Sequence, residues 1–80
     1  MDDKDVLRHI DELIAEEHAL RARATTPGLD ETEQARLREV EVQLDQCWDL
    51  LRQRRARAEF GQDPDGARTR PADQVEHYRN

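Results

Sequence analysis

One cysteine, three glycines and three prolines are all that this 80-residue chain holds of the residues that cross-link or punctuate a fold. Cys47 alone cannot form an intramolecular disulfide, and no Cys/His pairs stand at zinc-ligand spacing, so neither device is expected to staple the chain. Aromatics are as scarce, at one Trp, one Tyr and one Phe. No apolar run is longer than Leu13-Ile14-Ala15, which excludes a transmembrane span. Met1 is followed by Asp2-Asp3-Lys4-Asp5, with neither the positive n-region nor the apolar h-region of a signal peptide. A cytoplasmic protein with a reduced thiol is therefore the expectation.

Chemistry-bearing patterns are missing too. Gly-rich phosphate loops and the zinc-protease motif are absent, and no His has a Glu three positions before it, as di-iron bundles require. His9 and His18 would point to opposite sides of one helix, about 180° apart, and so cannot share a metal. No enzyme activity and no cofactor are expected. The net charge of −6 argues against a general nucleic-acid binder.

What is present is charge, at 40% of residues against 35% apolar. That balance suits either disorder or long surface helices, and the spacing of the apolar residues selects helices. Leu37, Val40, Leu44, Cys47, Leu51 and Ala58 recur at steps of three and four, the mark of one helical face. Val6, Ile10, Leu13, Leu20 and Ala24 do the same earlier, with Leu7 and Ile14 widening the stripe. The first pattern predicts a helix over 31–60 and the second a helix over 3–24. Between them, 25–29 contains Pro27 and Gly28 and forms a loop.

The ends carry matching signals. Asp2, Asp3 and Asp5 suit the positive end of the first helix, and Arg21 and Arg23 suit its negative end. Asp30 with Glu33 three positions on predicts a capping box, and Gly61 a C-terminal stop. A short loop between two amphipathic helices makes an antiparallel hairpin, so the fold class is all-α. The second helix is longer by roughly 12 Å at 1.5 Å per residue, which sets its arginines beside the aspartates of the first.

Residues 61–80 form a separate tail. Asp63-Pro64-Asp65-Gly66 predicts a turn, and Pro71 can open a short helix over 71–78. Val42, Leu50 and Phe60, off the main stripe, are expected to cover Val75 and Tyr78.

The run Leu44–Gly61, LDQCWDLLRQRRARAEFG, with Glu16-Glu17-His18 and Asp63–Pro71, DPDGARTRP, resembles a family of short actinobacterial proteins known as domain of unknown function 2630. The resemblance extends through nearly the whole chain. It implies a small, helical, cytoplasmic protein and no activity.

Three groups of residues stand out as candidate sites. A chain this short usually needs a partner to complete its core, and with disulfide and zinc excluded a second copy is the simplest one. Two hairpins would form a coiled-coil-like four-helix bundle, with Glu17, Leu44, Cys47, Trp48, Leu51 and Arg55 at the homodimer interface. Glu17 falls inside the apolar stripe and so needs a partner. With the two-fold axis near Leu44, Arg55 of the second copy would supply it. Trp48 is the expected anchor, and Cys47 the expected filler.

The second group, Arg52, Arg54, Arg55 and Arg57, could contact nucleic acid or a nucleic-acid enzyme. A self-neutralising helix end is the simpler reading, because Glu59 and the first helix's aspartates lie close. The third group is the set of tail-docking residues named above. A weak metal or redox role for Cys47 or Glu17, and an unidentified protein partner, complete the alternatives. No membrane partner is expected.

Overall fold

The computed structural model describes residues 2–25 and 28–77. Two long helices, α1 (Asp3–Thr25) and α2 (Glu31–Glu59), are followed by a 3-10 turn at Pro64–Gly66 and a short α3 (Ala72–His77). No strand occurs among the described residues. The molecule is a rod of 50 × 25 × 17 Å.

Local chemistry sets the ends of each helix. Asp2 caps α1: its Oδ1 accepts from the Asp5 N–H at 2.9 Å, while Asp5 Oδ2 accepts from the Asp2 N–H at 3.3 Å. The bond from the Asp5 backbone holds the Asp2 carboxyl below its ordinary range. α1 closes where Gly28, at φ 102°, donates to the Arg23 carbonyl at 3.0 Å. The capping box on α2 forms as its sequence predicts, with Glu33 N–H donating to Asp30 Oδ1 at 2.8 Å.

α2 ends in a Schellman motif. Gln62 N–H donates to the Arg57 carbonyl at 2.7 Å, and Gly61 N–H to the Ala58 carbonyl at 3.1 Å. The motif puts Gly61 at φ 74°, a conformation that costs an L side chain energy and glycine almost none.

Val6, Ile10, Leu13 and Leu20 of α1 close on Val40, Leu44 and Leu51 of α2, with Ile14, Leu29, Leu37, Cys47 and Leu50 packed around them. Each fully buried side chain of this size stabilises the fold by roughly 1.5–3 kcal/mol. The core therefore closes within one copy. Leu44 and Leu51, expected at a dimer interface, are spent inside the hairpin, because the stripe that carries them faces α1.

Ion pairs lace the two helices together outside the core. Arg36 grips Glu16 through two nitrogens, Nη2 to Oε1 at 2.7 Å and Nε to Oε2. Arg21 reaches Glu41 at 3.0 Å, and Arg23 pairs with Glu33.

The tail docks by a different chemistry from the one expected. Val75 is buried, and Leu50 lines a shallow hollow with Ala67 and Thr69. Phe60, however, is 79% exposed, so it covers nothing in the tail. It follows the last turn of α2 at the point where Gly61 turns the chain away. Val42 is half-buried, and Tyr78 lies outside the described residues.

Polar side chains on α2 hold segment 68–70, which belongs to no helix, instead. Gln53 Nε2 donates to the Arg68 carbonyl at 2.7 Å and Gln46 Nε2 to the Arg70 carbonyl at 3.2 Å. Asp49, 4% exposed, lies between them, accepts from Gln53 at 2.8 Å and stands 3.4 Å from Arg70 Nε. Backbone outside a helix carries carbonyls that need donors from elsewhere, and residues 46, 49 and 53 share one side of a helix.

Candidate interaction face

α2 is used on three sides. One faces α1 through Val40, Leu44 and Leu51, and a second holds the tail through Gln46, Asp49 and Gln53. Between them runs a third side, open to solvent, with Trp48 near its middle. Trp48 is 41% exposed, the largest side chain in the sequence left so open at the centre of a helix. It separates two hollows. One, of about 680 Å³, is lined by Asp45, Arg52, Arg70 and Val75 as well as Trp48. The other, of about 350 Å³, lies towards α1 and is lined by Ile14, Glu17, Arg21, Glu41 and Trp48.

Glu17 sits on the rim of that smaller hollow with its side chain 20% exposed. Its partner within the chain is Arg21, one turn along α1, at 3.6 Å, and Arg21 in turn holds Glu41. The carboxylate that looked orphaned on the helical wheel is thus neutralised locally. Cys47 packs against the core, and burial pushes its thiol above the ordinary range.

The arginine run separates into two kinds of residue. Arg54, only 7% exposed, donates Nε to Asp3 Oδ1 at 2.7 Å and Nη1 to Asp65 Oδ1 at 2.9 Å. Arg57 donates to the Asp63 carbonyl at 2.8 Å, and its guanidinium lies over Gly66, where any Cβ would collide with it. These two arginines hold the turn and the start of α1 in place. Arg52 and Arg55 are exposed on the open side of α2. The sequence pattern set Arg55 at a dimer interface opposite Glu17; within one copy the core tracks Val40 and Leu51, which turns Arg54 inward and leaves Arg55 facing out.

Asp49, Gln46 and Gln53 escaped the sequence reading. Their one signal is a seven-residue glutamine spacing with a carboxylate between, which places three polar groups on one helical line. Glu16–Arg36 escaped it as well.

Two of these pairs make stability pH-dependent. Arg36 beside Glu16, and Arg54 beside Asp65, hold both carboxyls below their ordinary values of 4.5 and 3.8. A carboxyl depressed in the fold contributes stability above its unfolded value and loses it as pH falls through the folded one. The melting temperature should therefore show no loss from these pairs down to about pH 5, then fall steadily towards about pH 2. A flat profile over that acid range, followed by circular dichroism, would contradict the pairing.

Among the described residues no group of three His, Cys, Asp or Glu side chains converges to hold a metal. Nor is any helix there long and apolar enough to cross a membrane.

Fold and surface together define a small all-α helical-hairpin protein with a tail strapped to its long helix and one open tryptophan-bearing side. The chain belongs to the family described as Protein of unknown function (DUF2630), whose model matches residues 2–80. It is similar to uncharacterized proteins of Mycobacterium bovis and Mycobacterium tuberculosis, each 57% identical over 77 residues, spanning 95% of this chain and 88% of the relative. No solved structure matches it.

Proposed function

We propose that this chain is a non-enzymatic helical interaction module that acts as a homodimer through the open side of α2. The observation that supports the reading is Trp48. Among the described residues eight apolar side chains are buried, seven in the hairpin and Val75 in the tail, yet the indole stands 41% exposed between two hollows. Tryptophan buries a large area at a small entropic cost and is enriched at the centres of protein interfaces. The arginines that could have made a nucleic-acid patch are divided, with Arg54 and Arg57 committed to the fold.

Sedimentation velocity over a concentration series tests the reading. Wild-type protein should self-associate in the micromolar range. Trp48→Ala should weaken that association by at least ~30-fold, as loss of an interface anchor does, while leaving the helical content unchanged. The single tryptophan gives a second readout, since its emission should shift to the blue as the dimer forms. A wild-type protein that stays monomeric throughout, or a Trp48→Ala variant that associates as tightly, would end the proposal.

A further inference from the structure

We infer that the second copy lies antiparallel along α2, with the two-fold axis passing at Trp48 and the register fixed by the order of charges on the open side. The inference rests on the homodimer reading above and specifies its geometry. At 3.6 residues per turn, Arg38, Glu41, Asp45, Trp48, Arg52, Arg55 and Glu59 fall within about 100° of arc. Arg38, Trp48, Arg52, Arg55 and Glu59 are exposed, and Glu41 and Asp45 are half-buried.

Read from the N-terminal end, the signs run positive, negative, negative, tryptophan, positive, positive, negative. Read from the other end, every sign is reversed. An antiparallel copy turned about Trp48 therefore sets Arg38 against the partner's Glu59, Glu41 against the partner's Arg55, and Asp45 against the partner's Arg52.

Competing arrangements fail on the same residues. A parallel pair in register would face each charge with its own copy. Moving the axis back to Asp45 sets Arg38 against the partner's Arg52 and Asp45 against itself. Moving it on to Arg52 sets Asp45 against the partner's Glu59 and Arg52 against itself. Like charges placed across an interface are disfavoured far more than exposed opposite pairs are favoured, so the pattern selects one register and adds little affinity.

Affinity comes from Trp48. The hollow of about 680 Å³ beside it leaves room for the partner's indole, so the two rings need not collide on the axis. Glu41 already accepts from Arg21 at 3.0 Å. A carboxylate has about four acceptor positions, which leaves capacity for a second arginine.

Two doubly reversed variants test the register: E41R/D45R and R52E/R55E. Each alone would bring like charges together and should self-associate at least ~10-fold more weakly than wild type. Mixed in equal amounts, the two should form a heterodimer of near wild-type affinity, because each supplies the signs the other lacks. The outer pair gives an independent check that leaves Glu41 and Asp45 untouched. R38E alone should loosen the dimer, and adding E59R to the same chain should restore it. Far-UV circular dichroism on every variant verifies that the helices persist.

If the reversed variants associate like wild type, or the mixture forms no heterodimer, the register is wrong. Loss of association in Trp48→Ala would then still uphold the homodimer. A monomeric wild type would overturn both.

Discussion

Leu51→Ala should destabilise the hairpin by ~2–5 kcal/mol, the usual cost of a large-to-small change in a packed core. Leu51 is 2% exposed and lies in one cluster with Ile10, Leu13 and Val40. A chain of this length has a total stability of roughly 4–12 kcal/mol, so one such cavity removes a large share of it. Leu7→Ala is the matched control. Leu7 is 38% exposed, and its loss should cost under ~1 kcal/mol. Urea unfolding of both variants at two protein concentrations separates the core role from an interface role. A cost at Leu51 that is independent of concentration places it inside one copy. A cost that vanishes on dilution would return Leu51 to the dimer interface.

Arg54→Ala should lower the melting temperature by roughly 5–10 °C, while Arg55→Ala moves it by less than about 2 °C. Adjacent arginines thus behave oppositely. Removing the Arg54 guanidinium strips Asp3 and Asp65 of their donor and leaves the turn at Pro64–Gly66 attached through Arg57 and the glutamine contacts. The tail should then be cut more readily by protease between α2 and α3, with the hairpin surviving as the larger fragment. Equal melting temperatures for the two variants, or a larger fall for Arg55→Ala, would mean that the inward and outward residues have been exchanged.

Residues that bury apolar area announced themselves in the sequence. Val6, Ile10, Leu13 and Leu20 on α1, with Val40, Leu44 and Leu51 on α2, are spaced at helical periods and lie buried where that spacing puts them. The Asp30–Glu33 box and the Gly61 stop are local chemistry, readable within a few residues. What the spacing misjudged was the centre of the stripe on α2. Leu37, counted in that stripe, is half-buried at its margin, and it is Arg54, not named among the stripe residues, that lies buried beside Leu51.

The tail was legible as a turn and a short helix, but its mode of attachment was not. Apolar residues can be counted on a wheel. A glutamine that serves a carbonyl more than a dozen residues away gives no periodic sign. Trp48 was singled out at once, but the charge order on either side of it had meaning only after the structure showed which side of α2 stays uncovered.

The Arg54 clasp joins residues far apart in sequence, 51 positions back to Asp3 and 11 forward to Asp65. A contact spanning so much chain must wait for its loop to close, and loop closure carries an entropy that only prior helix pairing can offset. The two sides of the clasp are unequal, because the loop back to Asp3 is several times longer than the loop forward to Asp65 and costs more entropy to close. The turn at Pro64–Gly66, across the shorter loop, is thus the cheaper side to close, and it holds the guanidinium ready for Asp3 when the two rods pair.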